Sequence, residues 1–353
     1  MVILITGGAG FVGSNLAMAF KLSHKDERII CLDNLRRRGS ELNVPRLREA
    51  GIEFVHGDIR NKEDLEPLDR VDTVIECSAE PSVLAGYNSP PDYLINTNLV
   101  GTVNCLELAR KSGADFIFLS TSRVYPVKTI NNLNFVETAT RFELSDEQTI
   151  SGVSKSGFTE QLPLDGTRTL YGTTKLCSEL IIQEYVEMYG LKAVTNRCGL
   201  LTGSWQMGKV DQGVVVLWVA SHYYGRSLSY IGYSGSGKQV RDILHVNDLY
   251  RLLEFELDQI GRLSGETFNV GGGREISLSL QELTELCRKH TGREVPVASV
   301  SQERPGDIRI YLTDHSKVTR MTGWKPEIGI DEIIGEIAGW IRDNSETLRP
   351  ILA

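Results

Sequence analysis

The chain has little of what would brace or anchor a protein from outside its own core. Its six cysteines, Cys31, Cys77, Cys105, Cys177, Cys198 and Cys287, form no CxxC pair. The sequence therefore suggests neither a zinc site nor a disulfide framework, and no metal is expected; the cysteines read as small buried hydrophobes. Long apolar runs are also missing. The opening MVILIT stretch is too short to span a bilayer and lacks the basic region and cleavage site of a secretory leader. The expected location is the cytoplasm, with no membrane partner. Positive charge is in short supply too: 38 Lys and Arg stand against 46 Asp and Glu, a net charge of −8. That argues against nucleic acid or anionic lipid as bulk partners, while leaving room for a local basic pocket. Repeats and low-complexity tracts are absent, and 353 residues at 41% hydrophobic suffice to bury the core of one large domain or two packed ones.

What is present is an alternation. VILIT, RIICL, IEFV, DTVIE and DFIFLS are short apolar runs separated by amphipathic stretches, the pattern of a parallel sheet flanked by helices. Continuous apolar strands imply burial on both faces. After Tyr171, KLCSELIIQEYVEMYG reads as a helix that Gly190 stops, followed by the strand KAVTNR. Beyond about Arg197 the texture changes to shorter strands, more glycine and tryptophan, and helices near 210–224, 246–257, 279–290 and 330–342. The expected fold is α/β, a Rossmann-type doubly wound parallel sheet over 1–196 and 239–262, with a smaller C-terminal α/β substrate-binding domain over 197–238 and 263–353. Between Tyr125 and Tyr171 runs a polar segment without periodicity, which reads equally as a functional lid or a surface insertion.

TGGAGFVGSN sets Gly7, Gly10 and Gly13 between the first strand and the first helix, with Phe11 and Val12 opening the helix. Glycine lets the backbone turn tightly and approach a pyrophosphate, which rests on the helix N-terminal amides. A glycine pattern alone is weak. Here Asp33, with Asn34 beside it, follows about 20 residues later at the end of the second strand, suited to the adenosine ribose 2′-hydroxyl and favouring NAD. Arg36, Arg37 and Arg38 are the features that would suit NADP instead. In HGDIR, Asp58 and Ile59 are candidates for the adenine edge and face; a turn or capping role suits Asp58 as well.

YGTTK spaces Tyr171 and Lys175 one helical turn apart, on one face. An ammonium beside a phenol favours the phenolate and makes it a usable base. In isolation such a pair is common on helix surfaces. Together with the glycine turn and Asp33, the chain resembles the extended short-chain dehydrogenase/reductase family. TGGAGFVG, NTNLVGT with Asn98, STSRVYP, YGTTK, RDILHVND and RPGDIR stand in that family's order over nearly the whole chain. The resemblance implies that Thr121 hydrogen-bonds the reacting sugar oxygen, Tyr171 is the acid/base, and Lys175 is its electrostatic partner and a nicotinamide-ribose ligand. It adds Ser78, Ala79, Asn98 and Cys198 to the cofactor set, although a packed neutral thiol also describes Cys198. It implies a nucleotide-activated sugar as substrate, touched by Ser82, Thr121, Ser122, Arg123 and Arg197, with Arg241 and Arg304 on its diphosphate, as guanidinium forks suit phosphate. A salt bridge from Arg241 to Asp242 or Asp248 is the structural alternative, and His245 reads as structural.

Dehydratases of this family carry Asp-Glu directly after the catalytic threonine. Here Ser122 and Arg123 stand there, and arginine stays protonated and cannot serve as the base. Hydride removal and return remain, which is epimerisation. NRCGLLTGSWQMGKVDQG and YIGYSGSGKQVRDILHV resemble the CDP-tyvelose (CDP-paratose) 2-epimerases. Leu200 occupies the place of a substrate-touching Asn usual in the wider family, and Ser204 the place of a Pro. Gln206, Lys209, Gln212 and Gln239 are the candidate replacement contacts, and a CDP-hexose is the favoured partner. A nucleotide-sugar 4-epimerase and a catalytically silent NAD-binding regulator stay open as alternatives. By resemblance the helices of 91–112 and 171–190 would pair across a two-fold axis, giving a homodimer or homotetramer.

Overall fold

The structure is a computed structural model that describes residues 1–68, 70–208 and 212–353. It divides into two compact units: Met1–Val124, Thr169–Cys198 and Val246–Phe268 form the first, and Tyr125–Arg168, Gly199–His245 and Asn269–Ala353 the second.

The first unit is built on a seven-stranded sheet in the order Thr267–Val270, Ala193–Cys198, Asp115–Thr121, Thr73–Glu76, Val2–Thr6, Arg28–Asp33, Glu53–His56. From Ala193–Cys198 to Glu53–His56 every neighbouring pair is parallel. Ile3, Leu4, Ile5, Val74, Ile75, Phe116, Ile117 and Phe118 are buried, as the unbroken apolar runs require of strands covered on both faces. The strand order reverses between Val2–Thr6 and Thr73–Glu76, the crevice where doubly wound sheets take ligands at their carboxyl ends. Five residues stand at those ends: Thr6 before the glycine turn, Asp33, Glu76, Thr121 and Cys198. The helix Leu170–Tyr189 starts at Thr169, whose hydroxyl accepts from the Gly172 amide at 3.3 Å, and stops at Gly190 in the left-handed conformation.

The second unit differs from the sequence expectation in its boundaries. Residues 125–168 belong to it and carry secondary structure of their own. They form two small hairpins, Phe135–Glu137 with Phe142–Leu144 and Val153–Ser154 with Gly157–Phe158. Their stray backbone groups find partners within the unit: Phe142 N donates to Lys238 O at 3.0 Å and Phe158 N to Leu312 O at 2.8 Å. Phe158 also stacks on Tyr311, centroids 4.9 Å apart. Val240–His245, expected in the dinucleotide domain, instead centres a second sheet, paired with Leu200–Thr202, Ser277–Ser279 and Ile310–Tyr311. Those partners lie far away in sequence, so local pattern could not assign the strand. Helices Val214–Tyr224, Leu280–Thr291 and Ile330–Asp343 pack on one another, the second opened by a capping box between Ser279 and Glu282. Among the described residues no helix is long and apolar enough to cross a membrane.

Candidate active site

The glycine turn is tight enough to dictate its residues. Gly7 has φ +62°, and a Cβ on Gly13 would meet the Gly7 carbonyl oxygen at 2.4 Å. Helix Phe11–Ser23 therefore starts directly against the turn. Its N-cap, Gly10, offers no side-chain cap, and no acid stands in the first turn, so the positive helix end is left for an anion. Asp33 closes the loop from the next strand: one carboxylate oxygen accepts from Ala9 N at 3.1 Å, the other from Leu35 N at 2.7 Å. Burial pushes its carboxyl up, and the Leu35, Ala9 and Gly10 amides pull it back. With three amides bonded, the carboxylate keeps a lone pair for a ribose hydroxyl. These features fit a dinucleotide.

The neighbouring residues fall out unevenly. Asp58 accepts from Arg60 Nε at 2.9 Å and from Asn34 Nδ2 at 2.9 Å. Burial would raise it, but those bonds win and hold it at about 2. Arg36 and Arg60 both lie over the Tyr93 ring, at 3.7 and 4.6 Å from its centroid. Ile59 is 3% exposed and packs in the hydrophobic core. Asn98 is also spent internally. It sits in a π-helical turn, Asn96–Gly101, accepting from Glu80 N at 2.7 Å and donating to Glu80 O at 3.1 Å, so it shapes the loop that follows Ser78 and Ala79. Within that loop Ser82 accepts from Leu84 N at 3.2 Å.

The candidate chemistry gathers at the end of Asp115–Thr121. Thr121 Oγ1 accepts from Arg123 N at 3.2 Å and hydrogen-bonds Tyr171, while Ser122 to Val124 form a single 3₁₀ turn. Burial pushes the Tyr171 phenol up; the Thr121 bond and the Arg123 charge pull it down. The sequence assigned that pull to Lys175. In the structure Arg123 also contributes to it. Lys175 is 1% exposed, with Nζ 3.8 Å from Glu76 Oε2 and 3.9 Å from the Phe118 ring centroid.

Several buried groups beneath the site were not foreseen. Glu179 accepts from Ser120 Oγ and, at 3.0 and 2.7 Å, from Arg197 Nε and a terminal guanidinium nitrogen. Arg197, expected on substrate, is thus a buried counter-charge within the first unit. Glu256 accepts from Asn196 Nδ2 at 2.8 Å, and burial pushes it up to about 8. Burial likewise pushes the Cys198 thiol up to about 12, leaving a neutral thiol there. The available signal was an acid ending an apolar strand, as Glu76 ends DTVIE.

In the second unit Arg241 does not pair with Asp242 or Asp248. It donates to Asp307 Oδ1 at 2.9 Å and to Ile308 O at 2.6 Å, while Asp248 pairs with Arg251. Arg304 lies in the turn that ends at Asp307, whose amide donates to Arg304 O at 3.2 Å. Gln206 braces its own loop, donating to Leu201 O at 3.0 Å and accepting from Thr202 Oγ1 at 3.1 Å. Gln239 donates to Ile231 O at 3.1 Å, and its buried Oε1 has no hydrogen-bond partner among the described residues. Gln212 stands just before helix Val214–Tyr224; Lys209 lies outside the described residues. Ser204 has a clear use. Its hydroxyl and amide donate to Glu336 Oε1 at 2.6 and 3.2 Å, bonds that proline can make with neither group. His245 sits 2.7 Å from the other Glu336 oxygen. Burial opposes the Glu336 charge, yet those bonds hold it at about 2.

Residues 3–271 match the model of the NAD dependent epimerase/dehydratase family. A curated relative, the CDP-paratose 2-epimerase of Salmonella typhi, is 32% identical over 96% of this chain and 99% of its own length. Among solved structures, the UDP-glucose 4-epimerase of Thermotoga maritima with UDP-glucose superposes with a TM-score of 0.78 at 26% identity, covering 98% of this chain and 100% of that one. The dTDP-glucose 4,6-dehydratase of Bacillus anthracis in complex with NAD superposes with a TM-score of 0.78 at 26% identity, covering 99% of each.

Proposed function

The chain belongs to the NAD dependent epimerase/dehydratase family, whose members are NAD-dependent enzymes of nucleotide-sugar chemistry, and from that membership we propose that it epimerises a nucleotide-activated sugar at C2, converting CDP-paratose to CDP-tyvelose. Bound NAD would supply the acceptor and then the donor of the hydride. Tyr171 takes the proton of the sugar hydroxyl and later returns it, and Thr121 hydrogen-bonds the same oxygen. The pull of Arg123 and Thr121 on the phenol works toward the phenolate that this proton transfer needs. The transient 2-keto sugar turns over between the two hydride steps, exposing its other face.

The observation that carries this reading is the turn after Thr121. Water loss from a keto sugar needs an acid for the leaving hydroxyl and a base for the adjacent carbon. Ser122 and Arg123 supply neither, and Arg123 lends its amide to Thr121 and its charge to Tyr171. That supports epimerisation over dehydration. The choice of C2 and of a CDP-sugar is supported by the 32% identity to a CDP-paratose 2-epimerase. Arg241 and Arg304 would hold the diphosphate, with Ser82, Gln206, Lys209, Gln212 and Gln239 as further substrate contacts. Asp33 and the glycine turn would hold the adenosine ribose and pyrophosphate of NAD.

The test is a panel of CDP-, GDP-, UDP- and dTDP-hexoses with products identified by NMR. Inversion at C2 of a CDP-hexose is the expected result. Products inverted only at C4 would overturn the choice of carbon, and a 4-keto-6-deoxy product would overturn the epimerase reading.

A further inference from the structure

Lys175 is held in an unusual setting for an ammonium. It is 1% exposed, an aromatic ring lies against it at 3.9 Å, and water has no access to share its charge. Such a group needs an opposite charge nearby or it gives up its proton. Glu179, one turn further along the same helix, is already committed to Arg197 and Ser120. The remaining carboxylate is Glu76, 0% exposed, at the carboxyl end of Thr73–Glu76. Its Oε2 lies 3.8 Å from Lys175 Nζ and 3.3 Å from Thr102 Oγ1, and its Oε1 has no hydrogen-bond partner among the described residues.

The distance matters as much as the pairing. At 3.8 Å the two groups attract as charges but do not form a hydrogen bond. Lys175 is thus neutralised from below while its three N–H donors remain for other acceptors. We propose that Glu76 is a positioning residue of the reaction, keeping Lys175 charged and in place without occupying the donors that Lys175 turns to the cofactor ribose. The proposal rests on Tyr171 acting as described under the proposed function and on Lys175 holding the nicotinamide ribose, as the family resemblance implies.

The titratable groups facing Lys175 are Glu76 and Cys77 from the strand end and the residue after it, Cys198 from the end of Ala193–Cys198, and Glu179 and Tyr171 from its own helix. Burial pushes Lys175 down and Glu76 pulls it back up. In Glu76→Gln the pull is gone, so Lys175 loses its proton at lower pH. The alkaline limb of the kcat–pH profile should then move toward neutrality by about 1–3 units, and Glu76→Asp, which keeps the charge, should return it.

The experiment compares parent, Glu76→Gln, Glu76→Asp and Tyr171→Phe, with the panel hexose that the parent turns over. A shifted alkaline limb in Glu76→Gln, restored in Glu76→Asp, supports the proposal. A Glu76→Gln profile that superimposes on the parent, at whatever kcat, makes Glu76 merely structural and overturns it. Tyr171→Phe at full activity overturns the reading of the site itself, and this proposal with it. Should Glu76→Gln not fold, the NMR titration of ¹³Cε-labelled Lys175 in the NAD-loaded parent decides. A Lys175 still charged at pH 7 supports the pair; a Lys175 neutral at pH 7 refutes it.

Discussion

The two units treat their polar groups in opposite ways. In the first, carboxylates are driven into the interior and matched: Glu76 to Lys175, Glu179 to Arg197, Glu256 to Asn196. They lie on one strand end and two helices, Leu170–Tyr189 and Val246–Asp258. In the second, the candidate binding residues stand in loops or on the strand that centres its sheet and are tied to nearby backbone: Gln206 to Leu201, Gln239 to Ile231, Arg241 to Ile308. One of these loops holds Trp205 at φ +69°, a strained conformation for a side chain of that size. A reaction common to a family needs a fixed frame for proton and hydride. Choosing among sugars needs side chains that can vary without disturbing that frame, and irregular segments provide them.

That division gives different signatures to variants on its two sides. Tyr171→Phe should lower kcat by about 100- to 10,000-fold while NAD stays bound, measured by turnover and by cofactor retention on a desalting column. Arg241→Met should raise KM for the nucleotide sugar by about tenfold to a hundredfold and leave kcat close to the parent's. If the two patterns were exchanged, the division would be broken.

Stability carries pH dependences of both signs. Glu256 is raised to about 8 from 4.5, so the folded protein holds a proton that the unfolded chain releases. Stability contributed through this group is therefore lost as pH rises from about 4.5 to 8. Glu256→Gln, which keeps an acceptor for Asn196, should flatten that decline in urea melts at a series of pH values. Glu336 in the second unit goes the other way, held at about 2: its contribution is present above about 4.5 and lost as pH falls toward 2. The smallest effect is expected for Ser204→Ala, which removes the hydroxyl bond to Glu336 and should cost about 0.5–1.5 kcal/mol in the same melts. An unchanged midpoint would mean that the Ser204 amide alone secures the loop.

Legibility in the sequence followed the same line. The glycine turn, Asp33, and the Tyr171–Lys175 spacing are local patterns, and the doubly wound sheet could be read from them and from the apolar runs. The partners of Lys175 and Arg197 could not, because Glu76 is brought to Lys175 by sheet topology and not by spacing. Ser204 looked like a departure in its loop because its partner, Glu336, lies 132 residues away. The same holds for 125–168, whose hairpins are stabilised by backbone partners near 238 and 312. The Arg123 charge on the Tyr171 phenol was not foreseen for a related reason: i,i+4 spacing shows what lies along one helix and not what another element brings to it.

The central claim is that hydride leaves and returns at one carbon with no water lost and no solvent proton introduced there. The direct measurement is turnover of CDP-paratose in deuterated water, with NMR of the product at C2. The account predicts inverted product carrying protium at that carbon. Deuterium at the inverted carbon would contradict it, because the hydrogen would then have come from solvent by deprotonation and reprotonation.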